Sequence, residues 1–158
     1  MIVTIHNYEI PMGGMWASEV ISDFSNKHIA PFFKSRDYGN DVKKITIIPV
    51  LTPYRGYIRP RRPRYIAYEE YKTPFCGEDG QRIIKIIDRW FYFDVLIQGE
   101  LHDEILVAPN SRKEEILARC VIKSLVNVDL LPKRLKDFDR EAFKADMISL
   151  FRSLGLIE

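Results

Sequence analysis

Hydrophobic positions at the start of the chain alternate with polar ones, and the period then lengthens. Ile2 to Tyr8 is alternating and β-branched, which predicts an edge or second-position strand closed by Pro11 and Gly13-Gly14. From Ala17 onward Val20, Ile21, Phe24 and His28 share one helical face, with Ser18 as the N-cap. Pro31 is expected to end or kink that helix, and Tyr38-Gly39-Asn40-Asp41 is turn chemistry. Lys44 to Leu51 restores the strand pattern. Pro49 cannot donate to a ladder, so a strand end or bulge is expected there.

Pro53 to Arg64 has no periodicity and reads as a long loop. Tyr65 to Tyr71 and Arg82 to Asp88 read as two strands of a hairpin, joined by a segment holding Gly77 and Gly80. In Trp90 to Ile97 the residues Phe91, Phe93, Val95 and Ile97 alternate, which favours strand over the opening of a helix. Leu101 to Val107 stays open between the two.

The last third is helical. Ser111 and Glu114 have capping-box spacing, and behind them Ile116, Leu117, Cys120, Val121, Leu125 and Val128 form one stripe. Asp139 is placed to cap a final helix with the stripe Phe143, Met147, Leu150, Phe151 and Leu154, closed by Gly155. Strands first and helices last predict a single α+β domain over residues 1–158. Its expected form is an antiparallel sheet of four to six strands with about three helices on one face.

Composition narrows the class. A chain of 158 residues with 46% hydrophobic and 29% charged positions can bury a core without staples. The net charge of +2 predicts no partner, so local clusters must do so. Cys76 and Cys120 are far apart and in no metal or redox spacing, which fits a reducing cytosol. Met1 to His6 lacks the basic and apolar regions of a signal peptide, and no stretch is long enough for a bilayer. A soluble, cytoplasmic protein without membrane association is expected.

Reactive constellations are missing from the sequence. His6, His28 and His102 are not in zinc spacing, and no phosphate loop, dinucleotide fingerprint or nucleophile elbow occurs. Neither a catalytic residue, a metal nor a cofactor is therefore assigned. His28 reads as a half-buried, hydrogen-bonded histidine. Cys76 has Lys72 and Arg82 as its nearest cations in sequence and no local histidine, so it makes a poor thiolate; Cys120 sits in an apolar stripe. The pairs Glu69-Glu70, Glu114-Glu115 and Asp137 with Asp139 are explained by strand exposure, first-turn pairing and capping.

The unusual segment runs from Tyr54 to Tyr65 and mixes arginine, tyrosine and proline without a single acid. Arginine forks match carboxylates and phosphates, tyrosines stack, and prolines hold a loop extended. Such a loop suits an acidic protein patch or single-stranded nucleic acid. A solvated loop paired with Glu69, Glu70 and Asp88 is the plainer account.

The ending Leu135-Lys136-Asp137-Phe138-Asp139-Arg140-Glu141-Ala142-Phe143-Lys144-Ala145-Asp146-Met147-Ile148-Ser149-Leu150-Phe151 resembles the Phe-Asp-x-x-x-Phe-x-x-Asp-hydrophobic tail of certain bacterial immunity proteins. These accompany polymorphic and contact-dependent growth-inhibition toxins. Tyr38-Gly39, Ile45 to Pro49, Arg62-Pro63-Arg64-Tyr65 and Ile86-Ile87-Asp88 follow in a similar order. The resemblance covers about two thirds of the chain. It implies a non-catalytic cytoplasmic inhibitor that binds the C-terminal domain of a cognate toxin. No binding residue carries over, so the interface is assigned from composition: Tyr54, Arg55, Tyr57, Arg59, Arg61 and Arg62. An acidic surface at Glu100, Asp103 and Glu104 is the alternative interface, and nucleic-acid binding by the 54–65 loop is the alternative function.

Overall fold

The computed structural model describes residues 1–6, 14–52, 62–72 and 82–158. Strand β1 (Ile2–Ile5) is followed by helix α1 (Gly14–Phe24), a π-helical turn (Ser25–Ile29) and helix α2 (Ala30–Lys34). Strands β2 (Lys44–Thr52), β3 (Arg64–Lys72) and β4 (Arg82–Gln98) come next. Helices α3 (Glu100–Val107) and α4 (Asn110–Ser124), a 3-10 segment (Leu125–Leu130) and helix α5 (Arg140–Ser153) complete the order.

The sheet order is β1-β2-β4-β3. β1, β2 and β4 run parallel, and only β3 is antiparallel. The class α+β stands, but the expected antiparallel sheet does not. The reason lies between β1 and β2: a helical connection carries the chain back to the starting end of the sheet, and neighbours joined that way are parallel. The hairpin of β3 and β4 then brings β4 in beside β2 in the same direction.

Two other expectations are corrected. Arg82 to Asp88 and Trp90 to Ile97 belong to one 17-residue strand. Arg89, at φ 40°, marks an irregularity where Ile66 pairs with Trp90 but Tyr68 pairs with Ile86. Pro49 neither ends nor bulges β2, whose register continues as Pro49 opposite Val95 and Leu51 opposite Ile97. Lys43 and Ile47 point their carbonyls at β1, accepting from Ile2 and His6. By the same alternation the missing N–H of Pro49 falls on the β1 side, past Ile5 where that strand ends, so among the described residues it interrupts no pairing of β1.

Pro31 acts on the helix before it. It sits in the first turn of α2, where its absent N–H is tolerated, and the preceding turn widens so that the Ala30 amide donates to Ser25. The Ser25 hydroxyl accepts from the Ile5 amide at 2.9 Å, tying this turn to β1. The capping box at Ser111 is not formed: α4 starts one residue earlier, after Pro109, without a side-chain cap. Pro109 holds the extended backbone there, and its carbonyl accepts from Arg112 and Lys113. At α5 the expected cap is present, with Asp139 accepting from Ala142 at 3.0 Å. Gly155, at φ 71°, closes α5 with bonds from Gly155 to Arg152 and from Leu156 to Phe151.

One face of the sheet carries Val3, Ile5, Ile45, Ile47, Phe91, Phe93, Val95 and Ile97 into a single core with the helices. Both predicted helical stripes are buried there, save half-buried Leu154. Thr46, Ile48, Tyr92 and Asp94 belong to the other face by strand alternation and are buried as well. Trp90 on that face donates to Thr46 at 2.9 Å and lies under the Lys44 ammonium. No helix among the described residues is long and apolar enough to cross a membrane.

The turn at 37–43 clasps the segment before α5. Asp41 donates to the Asp137 carbonyl at 3.0 Å, Asp137 donates to the Asp41 carboxylate at 2.8 Å, and Asp139 donates to the Tyr38 carbonyl at 2.8 Å. Gly39 lies so close that a Cβ there would stand 2.6 Å from the Asp137 carbonyl carbon, and its φ is 117°. The Tyr38 hydroxyl donates to Asp146 at 2.5 Å from within a ring cluster of Phe33, Phe138 and Phe143.

Two outcomes are expected. Gly39→Ala lowers stability by more than about 2 kcal/mol, read as a reduced urea midpoint at unchanged slope; an unchanged midpoint would contradict the clasp. Burial and then the Asp146 carboxylate raise the Tyr38 pKa above its ordinary 10.0, so folding favours the protonated phenol. Its contribution is complete below about pH 10 and is lost as the pH climbs past that value. Denaturation at pH 9 and pH 11 therefore shows a smaller alkaline loss in Tyr38→Phe than in the parent protein. Equal losses would count against the Tyr38–Asp146 bond.

Candidate partner-binding site

The parallel strands β2 and β4 end side by side, with Thr52 opposite Gln98. Crevices in open sheets form at such carboxyl ends. β3 starts on the far side of β4, where Arg64 faces Tyr92. Thr52 and Arg62, the two ends of the 53–61 segment, therefore flank β4. Past Tyr92 no residue of β3 pairs with β4, and a cleft of about 450 Å³ opens between this edge, the start of β3 and the end of α4.

Pro63, Leu96, Leu101 and Cys120 give the cleft its apolar lining, and Asp94, Gln98, Ser124 and Asn127 give it polar groups. Arg62 and Lys123 are its cations. Both are exposed, as are Arg64 and Arg119 nearby in the sequence. None of the four forms an ion pair among the described residues. Asp94 is only 9% exposed and already has an interaction of its own. The Ser124 hydroxyl donates to the Cys120 carbonyl at 2.8 Å, which leaves it only as an acceptor.

Arg62 is thus brought to a cleft. Tyr54, Arg55, Tyr57, Arg59 and Arg61 lie outside the described residues, as does Cys76. The side chains of Glu69, Glu70 and Asp88, and with them the pairing suggested for these acids, likewise lie outside the described residues. Sequence reading missed Lys123, Ser124 and Asn127. Their spacing from Cys120, at three, four and seven residues, was the available signal: a polar continuation of an apolar helical stripe.

The alternative acidic surface is divided. Glu104 accepts from Arg112 at 2.6 Å, and Arg112 also holds Glu115 at 2.8 Å. Glu100 lines a neighbouring cleft with Gln98, Gly99 and Leu101, while Asp103 is exposed.

Burial raises the Cys120 thiol pKa, with Lys123 opposing, so the thiol remains protonated at neutral pH. Among the described residues no three His, Cys, Asp or Glu side chains are grouped to hold a metal ion. His28 packs its ring on Phe24, with centroids 5.5 Å apart, and among the described residues no hydrogen bond to its ring is found. His102 is 4% exposed, with Nδ1 at 3.4 Å from Asp103 and Nε2 unpartnered.

An α+β core with a cation-bearing cleft at its parallel strand ends is the class that fold and site define. The chain belongs to the immunity protein 44 family, whose model it matches over residues 15–153, and is thereby a bacterial immunity protein. Neither a curated protein nor a solved structure matches it.

A buried nitrogen without a partner costs about 1–3 kcal/mol. His102→Leu, similar in volume, should hold or raise the thermal midpoint. A loss above about 1 kcal/mol would mean that the ring is satisfied in solution.

Proposed function

We propose that this protein neutralises a cognate toxin by binding its C-terminal domain one to one, as a single domain and without any catalytic step. Family membership carries this reading. Support comes from the protonated Cys120 and from cleft cations that form no ion pair among the described residues, which suit recognition better than bond making. The proposed interface is the arginine–tyrosine segment, with Tyr54, Arg55, Tyr57, Arg59, Arg61 and Arg62 in contact with the toxin. The setting would be the cytoplasm of a bacterium that practises contact-dependent growth inhibition.

Arg62 and Lys123 also suit phosphate, which keeps nucleic-acid binding as a second reading. Phosphate contacts would make affinity fall steeply with salt, and RNA would copurify.

Calorimetry with the toxin domain should give a saturable one-to-one complex. Changing one central arginine to alanine should cost on the order of 2 kcal/mol. Unchanged affinity in an Arg59/Arg61/Arg62 triple alanine variant would remove the segment from the interface.

A further inference from the structure

We infer that the cleft between β4 and α4 receives an aspartate or glutamate side chain from an acidic loop of the toxin, an inference that rests on the proposed inhibitory function. The donor inventory points to a carboxylate. Arg62 offers a planar fork and Lys123 an ammonium, both unpaired among the described residues, and the amides of Gln98 and Asn127 add N–H donors. Among the described residues the one carboxylate lining the cleft, Asp94, is nearly buried and already engaged, so it does not cancel the cations; the Ser124 oxygen remains as an acceptor.

Size and surroundings favour a protein loop over a nucleic acid. A volume of about 450 Å³ admits one or two side chains. No aromatic ring lines the cleft among the described residues, so a base would find no stacking platform. Beside Asn127, on the 3-10 segment, Val126 and Leu130 are 65% and 66% exposed. They are exposed apolar side chains close in sequence to a cleft residue, of the kind that protein partners cover. Two cations that are unpaired among the described residues and have apolar neighbours are complementary to an acidic side chain set among apolar ones.

The test uses the full chain and two synthetic probes, acetyl-Gly-Leu-Asp-Glu-Leu-Gly-amide and its Asn-Gln counterpart. In ¹⁵N NMR titrations the acidic peptide should shift the amides of Gln98, Leu101, Lys123 and Asn127 saturably, and the neutral peptide should not. Arg62→Gln and Lys123→Gln, both at exposed positions, should each weaken the acidic peptide by about fivefold or more while leaving the spectrum folded. Equal response to both peptides, silence at these amides, or a short oligothymidylate filling the cleft more tightly would overturn the inference. Because no toxin is used, the outcome is separable from the inhibitory reading. A chain that binds its toxin yet ignores the acidic peptide would lose only the cleft assignment.

Discussion

The approach of Gly39 to the backbone of Asp137 is the constraint on which the rest is hung. The turn at 37–43 is bonded to β1, β3, β4 and the segment leading into α5. It donates to and accepts from residues 137–139. Tyr65 at the start of β3 donates to the Asp41 carbonyl, and Arg89 in β4 donates to the Asn40 carbonyl. The next residues begin β2. Two strands, the final helix and the turn itself are therefore fixed by one close contact, tolerable only without a Cβ.

Placement of α5 follows from that clasp. Asp139, held by the Tyr38 carbonyl, caps the helix, and Arg140 reaches back to the carbonyls of Val128, Leu131 and Pro132. Those carbonyls lie at the end of the 3-10 segment, where a guanidinium satisfies otherwise orphaned acceptors. The segment in turn continues α4, whose last turns form a wall of the cleft. The clasp is far from the cleft along the chain but connected to it through this sequence of bonded elements.

The cleft exists because the sheet is mixed. Parallel β2 and β4 end together, whereas antiparallel β3 starts on the far side of β4 opposite Tyr92, and among the described residues the last residues of β4 have no strand partner there. An all-antiparallel arrangement with matched strands would have no such step. Charge is then set out on two walls, from Arg62 at the start of β3 and Lys123 near the end of α4, while the acids of α3 and α4 are partly consumed by Arg112. A molecule of net charge only +2 thereby presents local positive character where its strands end.

Much of this was legible in the chain itself. Periodicity determined the two helical stripes of the last third, the Asp139 cap and Gly155 terminus, the hairpin and the strand at Trp90 to Ile97, because these depend on neighbours within a few residues. The family resemblance of the Leu135 to Phe151 tail was equally local, and membership in an immunity family agrees with it. What only the tertiary structure decided was direction and company. Strand polarity depends on which strands become neighbours, so the antiparallel expectation failed although the helix between β1 and β2 was visible. The harmlessness of Pro49 depends on where β1 stops. Leu101 to Val107 is a helix because Gly99, at φ 63°, turns the chain out of β4. Lys123, Asn127 and Arg62 share a cleft only after sixty residues of chain have folded between them, and no spacing rule reaches that far.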